Sequence, residues 1–307
     1  MKQTTNTTQK RLKILGDDEI SAIYQRPRFT HEERIEYFSI SPKELAAMEQ
    51  LHSIKSRIYY ILQLGYFKAR HLFFLFNLQQ VSLDARYIIE QYFPSFQLTD
   101  LEIAKVTRLK QRSLILELCN YRLCGTEQRQ ELESKAQQTA SVCCKPIYIF
   151  RELMDDLAEQ RIVAPGYSFM QNTVGKVLTY EHSRLITIVQ DHLANSDIDA
   201  LKSLFNDSQG LYEITQLKRE PKDFTLSEIK REIDRVGQIR HLYHLTKRLL
   251  PHLAISNESI KYYASLVTYY SVFRLRQLDA QIVYIYLLCF VYHRYQQCHD
   301  NLIKCLI

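Results

Sequence analysis

Apolar positions along the chain recur every three or four residues almost throughout, and alternating strand patterns are nearly absent, so the pattern predicts an all-α protein. Asp17 is placed to cap a short helix carrying Ile20, Ile23 and Tyr24, and Thr30 with Glu33 forms a capping box for HEERIEYF. Ser41, Pro42 and Glu44 mark the start of another helix. Ile54, Ile58, Ile61, Leu62 and Gly65 then make the stripe of a helix over 53–67. A further helix over Leu83–Phe93 stops at Pro94. Thr99 caps a short one, the chain turns at Val106-Thr107, and Thr107 opens a helix to about Tyr121. Gly125 interrupts, Thr126 restarts a helix through Ala140, and Pro146 opens IYIFRELMDDLAEQ. Pro165-Gly166 is the preferred domain boundary. Beyond it come a long helix broken near Gly175, a polar loop over Asn206–Pro221, and a long charged helix boxed by Thr225 and Glu228 and ended by Pro251. Helices over Ser256–Arg274 and from Asp279 onward complete the pattern, with no repeat at a 30–45-residue period.

Composition supports this reading. Only 7 Gly and 7 Pro occur in 307 residues, so turns are few and elements long. A hydrophobic content of 46% fills real cores, and 40 basic against 34 acidic residues leave a net charge of +6, which permits a nucleic-acid partner without requiring one. Seven cysteines, an odd count with Cys143 and Cys144 adjacent, point to reduced thiols and a cytoplasmic protein. The polar start of the chain reads as a flexible arm over residues 1–16. The most apolar run, Ile282–Val291, is far short of the ~20 residues of a membrane span. The closing NLIKCLI has no stop signal, and the expectation is a chain that ends within a longer helical protein.

Little here is organised for catalysis. GxGxxG, GKS/GKT and HExxH are all missing, so a phosphate loop or a zinc-protease site is not expected. His241 and His244 sit three apart on a helix without nearby ligands at metal spacing, and the cysteines lack paired CxxC spacing. No enzyme activity, no cofactor and no metal are expected. Two basic segments remain: Lys55, Arg57, Lys68 and Arg70, interleaved with Tyr59, Tyr60, Tyr66 and Phe67, and then Lys105, Arg108, Lys110 and Arg112. Bases beside rings on a small helical unit suit nucleic acid, and a basic helix start suits a phosphate backbone or a major groove. They equally suit a solvated rim around a helical core.

At SRIYYILQLGYFKARHLF, followed by LDARYIIEQYFP, the chain resembles the N-terminal region of the Tn-three-type replicative transposases. The family's opening helix followed by an LGFALQLxYF-like segment matches Ser41-Pro42-Lys43-Glu44-Leu45 and then Arg57 through Phe67. Arg57 stands for the basic residue before the phrase, and Gln63, Tyr66 and Phe67 match within it. Tyr59-Tyr60 departs from the more usual Gly-Phe. The resemblance begins near Leu15, is strongest over residues 30–125 and is thin after 165. It implies two successive helix-turn-helix-like DNA-binding modules, at 17–95 and 96–165, and a linker and scaffold region over 166–307. It further implies recognition of double-stranded DNA at transposon ends, with homodimerisation left open and the acidic DDE catalytic domain absent from this chain. Lys55, Arg57, Lys68, Arg70, Lys105, Arg108, Lys110 and Arg112 are the expected DNA contacts by charge and placement. Neutralising roughly 6 to 8 phosphates would give a log–log salt slope of about −5 to −7. The rival expectation is a helical scaffold that binds another protein through the Tyr/Leu-rich stretch 262–291.

Overall fold

The computed structural model describes residues 12–208, 210–223 and 225–304. Among them the chain forms α1 (Asp17–Tyr24), α2 (His31–Tyr37), α3 (Pro42–Glu49), α4 (Ile54–Arg70), α5 (Ser82–Tyr92), α6 (Lys105–Cys119), α7 (Thr126–Val142) and α8 (Pro146–Glu159). There follow α9 (Tyr167–His192), α10 (Asn195–Ser203), α11 (Glu213–Leu217), α12 (Leu226–Leu253), α13 (Asn257–Tyr269), α14 (Val272–Arg276) and α15 (Ala280–Lys304). Strands among the described residues are limited to two pairs of two residues each. Arg122-Leu123 runs parallel to Ile162-Val163, and Asp207-Ser208 pairs antiparallel with Leu211-Tyr212, where Gly210 takes a φ of 82°. The protein is all-α. No helix among the described residues is long and apolar enough to cross a membrane.

The described residues divide into two compact units, one made by residues up to Leu132 with Phe150–Asn172, the other by Glu133–Ile149 with the chain from Thr173 onward. In the first, α4 is the central element. Every residue from Ile58 to Phe67 is buried, and Phe29, Phe38, Val81, Ile88, Leu101, Ile115 and Leu116 close around it in one continuous core. That core runs through both segments expected as separate modules, 17–95 and 96–165. Close packing has a local cause at Gly65: a Cβ there would stand 2.4 Å from Cδ1 of Phe38 and 3.0 Å from the carbonyl oxygen of Tyr37. A buried ionic cluster fixes the entry to this core. Asp84 accepts from Arg34 Nε at 2.7 Å, Tyr66 Oη at 2.6 Å and Arg26 at 3.4 Å, while Arg26 also donates to the carbonyl of Gln80 at 2.7 Å. Burial, and then the neighbouring Asp84 carboxylate, push the Tyr66 phenol well above its usual value.

In the second unit α12 and α13 both pack on α15. Buried positions on α12 (Glu232, Val236, Ile239, Leu242, Thr246, Leu249) keep the three-to-four spacing of a single stripe, whereas α15 is buried on all sides from Val283 to Val291. Buried Arg294 ties this packing to the chain before α12, donating to the carbonyls of Leu217 and Arg219 at 2.7 Å each and to Glu232 at 3.1 Å.

Several expected boundaries differ. No helix starts at Thr99 and no turn falls at Val106-Thr107; residues 101–104 belong to no regular element and α6 begins at Lys105 in one piece. α9 passes Gly175 unbroken, and α12 continues through Pro251 to Leu253. Thr225 does precede α12, but its hydroxyl bonds to Asp223 at 2.7 Å and Glu228 turns to Arg231, so the box never closes. Of the arm expected over 1–16, residues 1–11 lie outside the described residues. The part described is held in place: Tyr167 Oη accepts from the amides of Ile14 and Leu15, Gln171 donates to the Leu12 carbonyl, and Leu15 is buried. Residues 305–307 of the closing segment also lie outside the described residues.

Candidate nucleic-acid interface

The two basic segments have different fates in the first unit. Lys55 donates to Asp100 at 2.7 Å, and this bond leads the causes that hold the Asp100 carboxyl below its usual value. Arg57 bonds to the carbonyls of Leu51 at 2.9 Å and Glu49 at 3.2 Å, satisfying the open end of α3. Lys68 reaches the Ser39 carbonyl at 2.8 Å and Glu44 at 2.9 Å, binding the start of α3 to the end of α4. These three cations thus each have a partner within the chain, Lys55 through an ion pair on the surface. Arg70, exposed at the last position of α4, has no partner among the described residues.

The second segment stays outward. α6 is anchored by Gln111, Ile115 and Leu116, with Gln111 Nε2 donating to the backbone oxygen of Ser56 at 2.9 Å and to its hydroxyl at 2.7 Å. That anchor turns Lys105, Val106, Leu109, Lys110 and Ser113 to solvent, with Val106 65% and Leu109 53% exposed. Lys105, Arg108 and Lys110 have no hydrogen-bond or ion-pair partner among the described residues. Ala104 offers no side-chain cap, so the first amides of α6 are open and the positive end of the helix adds to this charge.

Arg112 behaves differently from its neighbours. Its guanidinium carbon lies 4.7 Å from the centroid of the Phe73 ring, and burial lowers its pKa from the ordinary value. It lines a cleft of about 430 Å³ with Lys105, Arg108, Gln111, Gln63 and Phe73. The segment carrying Phe73 and Phe74 has no helical pattern, and its approach to α6 is a tertiary feature; the rings in the sequence were the only advance signal. Within the matching phrase, Leu62, Gln63, Leu64, Tyr66 and Phe67 are all buried.

Elsewhere, the stretch 262–291 expected as an apolar interface buries Tyr263, Val267 and Val283–Val291. Tyr269 and Phe273 are the large apolar side chains left exposed along it. Among the described residues no group of three or more His, Cys, Asp or Glu is assembled to hold a metal ion, and the six described cysteines are free thiols. Burial pushes the Cys289 thiol, and less strongly that of Cys298 to about 12, above the range of a reactive thiolate.

No curated protein matches the chain. A family model described as a domain of unknown function, DUF4158, matches residues 14–177. That is more than half of the 307 residues, and it takes in both the basic face of α6 and the cleft beside it. The chain therefore belongs to the DUF4158 family.

Proposed function

We propose that this protein binds double-stranded DNA through the exposed first half of α6, as the end-recognition region of a transposase of the Tn-three type. The observation that carries the reading is the unpartnered trio Lys105, Arg108 and Lys110, set on a rigid, anchored helix beside an uncapped N-terminus. Lysine and arginine contacts to phosphate supply affinity and orientation, and Val106 and Leu109 offer apolar contact to thymine methyl groups in a major groove. The sequence resemblance over residues 30–125 supplies the partner class, since the same stretch builds the core that presents α6.

With Lys55, Arg57 and Lys68 committed internally, Arg70, Lys105, Arg108, Lys110 and Arg112 are the proposed phosphate contacts. Five neutralised phosphates give a log–log salt slope of about −4 to −5, shallower than the charge count alone would suggest. In this reading the chain contributes recognition, and DNA cutting belongs to a separate catalytic domain.

The test is an anisotropy titration against a duplex carrying the terminal inverted repeats that flank the gene, with a scrambled duplex as competitor. Selective, salt-sensitive binding is expected. Binding to neither duplex by a folded sample would refute it. The scaffold alternative, in which Tyr269 and Phe273 meet a protein partner, would then be the better account.

A further inference from the structure

Three of the residues that line the cleft beside α6 each carry a buried side-chain atom without a hydrogen-bond partner among the described residues. Gln63 and Gln111 are 6% and 1% exposed, and each uses its amide nitrogen fully: Gln63 Nε2 donates to Tyr59 Oη at 3.0 Å and to the carbonyl of Phe74, and Gln111 Nε2 donates to Ser56. Their oxygens, Gln63 Oε1 and Gln111 Oε1, are buried and meet no donor among the described residues, and Arg112 Nε is buried and meets no acceptor among them. Buried polar groups are almost always paired, so three unpaired ones on residues that border a single cleft call for an explanation. The remaining walls specify the missing partner. Arg112 lies over the Phe73 ring, both of them groups on which bases stack, and Lys105 and Arg108 bring positive charge to the same cleft.

We propose that this cleft takes one unpaired nucleotide of the bound DNA strand, its base carrying an exocyclic amino group and its phosphate held by Lys105 and Arg108. The inference rests on the DNA-binding reading and adds a base-selective site to it. The two glutamine oxygens require donors, which an amino-bearing base such as adenine or cytosine supplies next to a ring nitrogen that can accept from Arg112. Thymine offers a single ring N–H flanked by two carbonyls, and so leaves one glutamine unmet while adding an acceptor. A cleft of about 430 Å³ has room for a nucleotide. Because the glutamine oxygens are buried, a base would reach them only with a shift of the irregular Phe73–Leu75 edge, where Leu75 is 81% exposed.

The test uses the full chain and labelled single-stranded homopolymers of dA, dC and dT, with the inverted-repeat duplex and free dAMP as competitors. The dA and dC strands are expected to bind about tenfold more tightly than dT. Arg112→Lys, which keeps the charge but loses the planar fork, and Phe73→Leu are each expected to erase that preference, with circular dichroism confirming the fold of both variants. Equal binding of the three homopolymers, alongside intact salt-dependent duplex binding, overturns the base site and leaves the duplex reading standing. Failure to bind any nucleic acid overturns both. Displacement of the dA strand by dAMP at comparable concentration identifies a free nucleotide as the ligand and overturns the strand assignment.

Discussion

Replacing Gly65 with alanine tests the packing that presents the site. In an exposed helix interior Gly→Ala stabilises by about 1 kcal/mol, because alanine loses less backbone entropy on folding. At Gly65 the new methyl would lie 2.4 and 2.5 Å from Cδ1 and Cε1 of Phe38 and 3.0 Å from the Tyr37 carbonyl oxygen, far inside ordinary carbon contact distances. The ring has no easy escape, since Phe38 is 1% exposed and packed against Phe29 and Tyr66 with centroids 5.3 and 5.9 Å away. Overpacking of this kind costs about 1–3 kcal/mol, and with backbone as well as ring in the way the upper end applies. The net expectation is a loss of about 1–2 kcal/mol. Gly237 in α12 is the internal control: it is exposed, nothing stands within 4 Å of its would-be Cβ, and Gly237→Ala is expected to stabilise by about 0.5–1 kcal/mol. Urea unfolding followed by far-UV circular dichroism should move the two midpoints in opposite directions. A Gly65→Ala protein as stable as the parent would refute the close approach of α4 to the end of α2.

Asp84→Asn removes the carboxylate that pairs with both Arg26 and Arg34, and is expected to lower stability by about 3–5 kcal/mol in urea titration. Tyr66→Phe deletes a hydrogen bond to the same carboxylate and should cost about 1.5–3 kcal/mol by the same assay. His182 is held below its usual pKa of 6.5 by burial, with Glu181 opposing, so the unfolded chain takes up its proton first. Its contribution is therefore constant above pH 6.5 and is lost as pH falls below it; His182→Gln should flatten that part of a stability-against-pH curve.

The helix starts at Thr30 and Ser41 were legible because a capping box is chemistry within four residues, and both boxes close in the structure. The box at Thr225 fails because Asp223 competes for the hydroxyl and Arg231 for Glu228, a contest that residue spacing alone does not decide. Gly175 and Pro251 read as breaks, yet packing along α9 and α12 overrides both. Proline near a helix end still satisfies most of the ladder, and one glycine costs only about 1 kcal/mol. The cations of the candidate site were all visible as charges. Which were free was not, because Lys55 meets Asp100 from 45 residues away and Lys68 meets Glu44 from 24. Gln111 and Phe73, which orient α6 and floor the cleft, carry no sequence motif; they matter through what the fold sets opposite them.

The most direct test of the account compares the salt dependence of duplex binding in the wild-type chain and in a Lys105→Gln, Arg108→Gln, Lys110→Gln variant, with Lys55→Gln as control. A wild-type slope of about −4 to −5 should become shallower by about 3 in the triple variant and stay unchanged in the control. Equal slopes in the triple variant and wild type, or a loss confined to the Lys55→Gln control, would contradict the assignment of α6 as the DNA-binding helix.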